Sequence, residues 1–356
     1  MKHLRNSIQN QSSVRQESKY INASDDKKEQ YNHAVREVEN IINEQHPTLD
    51  KEIIKQLTDA VNQANNDLNG VELLDADKQN AHQSIPTLTH LNQAQQNALN
   101  EKINNAVTRA EVAAIIGQAK LLDHAMENLE ESIKDKEQVK QSSNYINEDP
   151  DVQETYDNAV DHVTEILNQT VNPTLSIEDI EHDINEVNQA KKQLRGKQKL
   201  YQTIDLADKE LSKLDDLTSQ QSSSISNQIY TAKTRTEVAQ AIEKAKSLNH
   251  AMKALNKVYK NADKVLDSSR FINEDQPEKE AYQQAINHVD SIIHRQTNPE
   301  MDPTVINSIT HELETAQNNL HGDQKLAHAQ QVATNVINGL IHLNVAQREV
   351  MINANT

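Results

Sequence analysis

The 356-residue sequence has no cysteine, no tryptophan and a single phenylalanine, and only five glycines and seven prolines. Without cysteine there is no disulfide, no thiolate metal site and no cysteine nucleophile. With so little glycine there is no glycine-rich loop to cradle a phosphate. No apolar run approaches the roughly 20 residues that span a bilayer. No signal peptide opens the chain, and Met1 falls inside a repeated pattern, so the sequence reads as an interior fragment of something longer. The 36 basic residues stand against 54 acidic ones, for a net charge of −18. That balance excludes nucleic acid and anionic membrane as general partners, since both carry dense negative charge. A mean hydropathy of −0.82 leans toward disorder, and periodicity decides the matter the other way.

What is present is a repeat. The stretch from Ser143 to Pro173, SNYINEDPDVQETYDNAVDHVTEILNQTVNP, has counterparts from Ser18 to Pro47 and from Ser269 to Pro299. Pro47, Pro173 and Pro299 lie 126 residues apart, and a fixed long period signals an array of small units and not one large core. Within the stretch, Val152, Tyr156, Ala159, Val160, Val163, Ile166 and Leu167 share one helical face, and the equivalents from Tyr31 and from Tyr282 onward do the same. Pro150 and Pro277 suit a first helical turn, and Pro47, Pro173 and Pro299 end the pattern.

A second helix is predicted to start at the N-caps Asp50, Ser176 and Asp302. Its apolar face carries Ile54, Val61 and Leu68, then Ile180, Ile184, Val187 and Leu194, then Ile306, Ile309 and Leu320. Gly70, Gly196 and Gly322 follow, and because apolar periodicity resumes at Leu74, Leu200 and Leu326, one long helix is expected to pass through each glycine. A further helix begins at Asn92, Thr218 and Asn344, each with glutamine three residues on in capping-box spacing. The last starts at Thr108 with Glu111 and at Thr234 with Glu237. From Thr108 no breaker stronger than Gly117 precedes Asn144, which predicts a helix of about 34 residues, roughly 50 Å long. Pro86, where the next repeat has Ser212, is expected to end or kink its helix. Ser219, Ser222, Ser223 and Ser224 form a polar run expected to weaken theirs.

The fold class is therefore all-α: tandem three-helix bundles sharing long connecting helices, in an elongated rod of ~126-residue repeats. The bundles fall at 1–70, 71–125, 126–196, 197–251 and 252–322, with a truncated one at 323–356. Unbroken helices through Gly196 and Asn128 would stiffen the borders. At about 30 Å per bundle the rod would reach on the order of 150 Å or more.

Few residues invite a chemical reading. Glu178, Asp179, His182 and Asp183, or His162 beside Asp161 and Glu165, have carboxylates one turn from a histidine, but each set is an incomplete metal site on one helix face. His311-Glu312 lacks the second histidine of a zinc helix motif. The acidic loops Asn147-Glu148-Asp149-Pro150-Asp151 and Asn273-Glu274-Asp275 lack the ligand alternation and mid-loop glycine of a calcium loop, and capping of a helix N-terminus accounts for them. His124 and His250, one period apart, read as surface or packing positions ahead of a pH switch. Tyr20, Tyr145 and Phe271 precede the loop, and Tyr31, Tyr156 and Tyr282 follow it. They are either ligand anchors or, the better account in bundles so poor in large side chains, plugs of the bundle end. No nucleophile–base–orienter set recurs, so the sequence assigns no catalytic, metal or cofactor residue, and the ligand-binding residues are unknown.

Two motif sets carry a resemblance. Tyr145-Ile146-Asn147, Tyr156, Ala159-Val160 and Asn172-Pro173 look like FIVAR modules; Leu91-Asn92, Ala94-Gln95, Thr108-Arg109, Glu111-Val112 and Ala125-Met126 look like GA modules. Together they resemble, over essentially the whole chain, the repeats of the giant staphylococcal matrix-binding proteins. The resemblance implies a monomeric, non-catalytic segment of a bacterial cell-surface adhesin, anchored to wall or membrane by parts outside this fragment. It implies fibronectin-type host matrix protein as the partner, with albumin as a second candidate for the GA-like units. A spacer or wall-organising rod with no host ligand is the alternative.

Overall fold

The computed structural model describes residues 1–43 and 48–355, and among these every regular element is a helix. Pro47, expected to end a helix, and Thr356 lie outside the described residues. The chain divides into two compact units, one made of Met1–Ser142 with Asp149–Leu194, the other of Ser143–Glu148 with Arg195–Thr356.

In the first unit, α1 (Lys2–Ile8), α2 (Asp25–Asn43) and α3 (Lys51–Asn66) pack together around Leu4, Tyr31, Val35, Val38 and Val61. Next come α4 (Gly70–Ser84), α5 (Gln93–Asn105) and α6 (Arg109–Ile133), again a mutually packed triplet. The same α6 also packs on α7 (Pro150–Leu167) and α8 (Ile177–Gln193), so one helix serves two bundles. Its buried residues accordingly run its whole length, from Val112 to Ile133. In the second unit, α9 (Gly196–Leu211), α10 (Ser219–Thr231) and α11 (Arg235–Tyr259) form a triplet. Helix α11 is shared in turn with α12 (Gln276–Ile293) and α13 (Pro303–Asn318), and one core runs from Leu200 to Leu320. The chain finishes with a pair, α14 (Gly322–Gly339) and α15 (Val345–Ala354).

The start signals lie where the sequence puts them. Asp50, Ser176 and Asp302 accept backbone N–H groups as N-caps. Reciprocal capping boxes form at Asn92–Gln95, Thr108–Glu111, Thr218–Gln221, Thr234–Glu237 and Asn344–Gln347, each satisfying two donors that a helix end leaves over. The serine-rich α10 is an intact helix whose Ile225 and Ile229 are fully buried, and that burial outweighs weak serine propensity.

Two expectations are corrected. No helix runs through Gly70, Gly196 or Gly322; each glycine is the first residue of a new helix, and Leu68, Leu194 and Leu320 are buried in the links before them. A Cβ on Gly196 would stand 2.5 Å from the Asn144 carbonyl oxygen, and one on Gly70 would stand 2.5 Å from that of Lys19. These glycines permit a close approach of two backbones, a tertiary demand that leaves no mark on helical periodicity. Second, the long helices are shorter than the ~34 residues expected. Both α6 and α11 have 25 residues, about 37 Å. They end before Lys134-Asp135 and Lys260-Asn261, where aspartate or asparagine competes locally with helical hydrogen bonding. The expectation at Pro86 holds: α4 ends at Ser84 and residues 85–87 form a single 3₁₀ turn, so that α4, with 15 residues, is shorter than α9 with 16 and α14 with 18, which carry Ser212 and Asn338 in place of the proline. Asn128 lies within α6, as expected.

Candidate functional site

The segments Ser18–Ile21, Ser143–Ile146 and Ser269–Ile272 are single helical turns, and each packs on the glycine-led helix α4, α9 or α14 of its own repeat. The tyrosines one loop further on are core. Tyr31, Tyr156 and Tyr282 are fully buried, Tyr20 meets Tyr31 edge-on at 5.9 Å between ring centres, and Phe271 meets Tyr282 at 6.0 Å. Such contacts add to the area that each ring removes from water. With the aromatic ring turned inward, the next residue of the turn faces out. Ile21, Ile146 and Ile272 are 43 %, 48 % and 58 % exposed, the same large apolar group uncovered in every repeat.

The following asparagine is a clamp. Asn22 donates from Nδ2 to the Val107 carbonyl at 3.0 Å and accepts the Arg109 N–H at 2.9 Å, bracketing the N-cap Thr108 of α6. Asn147 does the same to Lys233 and Arg235 around Thr234, at 3.0 and 2.8 Å. A second amide works at the other end of each triplet. The buried Gln95 donates to the Thr174 carbonyl at 2.7 Å, and Gln221 to the Glu300 carbonyl at 2.8 Å. The module between two repeats of the SNYIN type is thus held at both ends by side chains that bond to backbone.

Beside the clamp, two acidic loop residues accept backbone N–H groups just ahead of the glycine-led helices. The buried Glu148 accepts the Arg195 N–H at the start of α9 and pairs with Lys199; Glu274 accepts the His321 N–H and pairs with Lys325. Burial opposes ionisation of Glu274, but Lys325 and the N–H groups of Asp275 and His321 outweigh it and bring its pKa down to about 2. Glu274, Asp275 and Glu278 do lie close enough for a cation, but the Lys325 ammonium sits on the first two. The first repeat has Ala23 and Leu73 at the carboxylate and lysine positions, so the pair is absent as a pair.

Of the histidine candidates, His124 and His250 are exposed on their helices, and His124 faces Glu127 at 3.2 Å. His182 pairs with Glu186 along α8. His162 and Asp183, from different helices, are brought to 3.4 Å. Periodicity alone missed that Asp183 is buried, at a position held by Leu57 and Ile309 in the other repeats. Burial raises its pKa, with Glu186 and Asp179 adding to the rise and His162 and His182 opposing it. A raised carboxyl pKa means that folding binds a proton more tightly. The cost of Asp183 is therefore absent below its unfolded value and appears as pH rises through its folded one. Asp183→Ile is expected to stabilise the chain by about 1 kcal/mol at pH 7. Urea melts of both forms at pH 7 and at about pH 3, below the ordinary carboxyl range, check it; the gain should shrink at the lower pH.

Next to the clamps, the surface opens into two equivalent grooves. One, of about 660 Å³, is lined by Ile146, Asn147, Glu148, Thr203, Thr234 and Arg235; the other, of about 530 Å³, by Ile21, Asn22, Asp25, Lys28, Thr108 and Arg109 among others. Each offers an aliphatic side chain, hydroxyls and an arginine.

The FIVAR domain pattern matches residues 1–69, 125–195 and 251–321, and the GA module pattern matches 71–125, 197–251 and 323–356. Extracellular matrix-binding protein ebh of Staphylococcus aureus strain MRSA252 is 41 % identical over 355 residues, 99 % of this chain and 3 % of that protein. Extracellular matrix-binding protein EbhA of strain N315 is 42 % identical over 352 residues, again 99 % of this chain and 5 % of its own length. The chain therefore spans only a few per cent of those relatives. A crystal structure of a domain of EbhA from Staphylococcus aureus superposes with a TM-score of 0.63 at 31 % identity, covering 68 % of this chain and 98 % of that one. None of these relatives is named as an enzyme, and no helix among the described residues is long and apolar enough to cross a membrane. With one pattern alone matching more than half of its length, the chain belongs to the FIVAR-domain family, as a run of FIVAR and GA repeats of the staphylococcal matrix-binding type.

Proposed function

We propose that the chain is a non-catalytic, monomeric segment of a bacterial cell-surface adhesin, and that it binds a fibronectin-type host matrix protein through several weak contacts. The observation that carries this reading is the recurrence of one exposed isoleucine at the same turn of each repeat, beside a groove of the same make in two of them. The names of the relatives, extracellular matrix-binding proteins, support the class of partner. The binding units are the modules 1–70, 126–196 and 252–322, each followed by a GA-type module (71–125, 197–251 and 323–356). Anchoring belongs to parts of the protein outside this segment. Contacts on one chain that engage a fibrous partner together gain from effective concentration, on the order of 10²- to 10⁴-fold overall.

Titrating immobilised fibronectin with the chain and its variants tests the reading. Replacing Ile21, Ile146 and Ile272 together by serine is expected to weaken binding by about tenfold or more, and each alone by about threefold at most. Equal affinity for the wild type and the triple variant removes the isoleucine sites. No binding to fibronectin, albumin or wall polymers leaves the spacer rod as the better account.

A further inference from the structure

The grooves beside Asn22 and Asn147 share a centre and differ at the rim. Common to both are an exposed isoleucine (Ile21, Ile146), the clamping asparagine, a threonine N-cap (Thr108, Thr234) and the arginine after it (Arg109, Arg235). In the first groove the Asp77 carboxylate takes the Arg109 Nε–H at 2.6 Å, which neutralises that charge. In the second, Thr203 stands at the position of Asp77, and Arg235 donates from Nη1 to the Asn147 carbonyl at 3.3 Å. The flanks differ in the same sense. Val71, next to the close-packed Gly70, and Val107, whose carbonyl Asn22 holds, are 45 % and 65 % exposed. At their places the second repeat has Lys197 and Lys233, both exposed, and the Asn147 amide holds the Lys233 carbonyl. Two nearby carboxylates are already engaged. Glu148 is buried against Lys199, and Glu237 accepts the N–H groups of Lys233 and Thr234, as Glu111 accepts those of Val107 and Thr108. A chain of net charge −18 thus carries a groove with a cationic rim around an aliphatic centre.

We propose, resting on the isoleucine turns as binding sites, that the groove beside Ile146 takes an acidic peptide segment. An aliphatic side chain of that segment would lie on Ile146, with carboxylates toward Lys197, Lys233 and Arg235. Charge complementarity chooses the occupant, because lysines for Val71 and Val107, and threonine for Asp77, make the rim more positive at three positions around a shared centre. Screening limits the reach of the acidic remainder of the chain to about 8 to 10 Å, so the rim is felt at contact in spite of the overall charge. Such a rim governs which partner is accepted more than how tightly it is held. A peptide fits better than a sulfated polysaccharide, which has no aliphatic side chain to set against Ile146. The first groove, with valine flanks and a neutralised arginine, should not discriminate by charge.

The experiment follows the isoleucine δ1 methyl signals of the full chain as two synthetic peptides are added. One has aspartate and glutamate around a central leucine; the other has asparagine and glutamine in their places. The acidic peptide is expected to shift Ile146 and leave Ile21 in place, more weakly as salt rises from about 0.05 to 0.3 M. The neutral peptide should shift neither. Lys197→Val with Lys233→Val is expected to weaken binding by about threefold to tenfold. Those are the residues the first repeat carries in the same fold, so lost binding cannot be charged to unfolding. Conversely, Val71→Lys, Asp77→Thr and Val107→Lys together should make Ile21 respond. Equal shifts of Ile21 and Ile146, full binding by the double variant, a response to heparin alone, or no saturable shift up to about 1 mM peptide overturns the proposal. Fibronectin titrations separate this from the broader reading. If the double variant binds fibronectin as the wild type does while the triple isoleucine variant does not, the acidic preference falls and the isoleucine sites stand. If fibronectin does not bind at all, the peptide titration still decides the groove.

Discussion

Gly196→Ala is expected to destabilise the chain by about 3 kcal/mol, and Gly117→Ala to stabilise it by about 0.5 to 1 kcal/mol. Both glycines are helical, so intrinsic propensity predicts a gain for each. Surroundings separate them. A Cβ on Gly117 meets nothing within 4 Å, on a turn of α6 that faces outward. A Cβ on Gly196 would stand 2.5 Å from the Asn144 carbonyl oxygen and 2.6 Å from the Glu148 nitrogen. Those are backbone atoms of a turn pinned by the Asn147 clamp and by the bond from the Arg195 N–H to Glu148, so the turn cannot rotate aside as a flexible side chain would. Equilibrium urea unfolding of the two variants settles the sign. If Gly196→Ala were as stabilising as Gly117→Ala, the backbone approach would not be what keeps glycine there.

How much of this was legible in the sequence depends on whether the cause is local. Caps are local: Thr108 with Glu111 and Thr234 with Glu237 could be placed to the residue, because a capping box is written within four positions. The inward tyrosines followed from composition, since little else was large enough to close a bundle end. The glycines misled because the demand on Gly70, Gly196 and Gly322 comes from another part of the chain, and the resumed periodicity after them suggested continuity. The early ends of α6 and α11 turned on Asp135 and Asn261, weak stop signals that an apolar pattern easily overrides on paper. Asp183 was detectable by a different comparison. Set against Leu57 and Ile309, a carboxylate at an apolar register stands out, whereas a search for metal spacing took it as surface.

Within each compact unit, two kinds of link hold neighbouring helices together. Continuity of α6 and α11 is one, since bending there breaks helical hydrogen bonds. The other is the amides: Asn22 ties the Ser18–Ile21 turn to the start of α6 within the first unit, Asn147 ties the Ser143–Ile146 turn to the start of α11 within the second, and Gln95 and Gln221 act at the opposite end of each triplet. Buried amides that satisfy backbone on a neighbouring element couple the two, because separation leaves unpaired polar groups on both sides.

Asn147→Ala is therefore expected to cost about 2 to 3 kcal/mol, far more than the same change at its half-buried counterpart Asn273 in the third repeat. The side chain accepts the Arg235 N–H at 2.8 Å and donates to the Lys233 carbonyl at 3.0 Å, two backbone groups flanking the helix start at Thr234. Truncation leaves both without their partner at a site where Asn147 is 2 % exposed, and water cannot replace the amide without opening the turn. Asn147→Asp keeps the acceptor, gains a charge near a helix N-terminus and loses the donor, so it should fall between the two. Asn273→Ala serves as the control within one chain. Its amide reaches only its own turn, at the Ser269 carbonyl, and the change should cost no more than about 0.5 kcal/mol. Hydrogen exchange adds a local readout, for the Arg235 amide should lose protection in the Asn147 variant while amides deep in α11 keep theirs. Equal losses from Asn147→Ala and Asn273→Ala would show that the asparagine serves its own turn and not the helix beyond it.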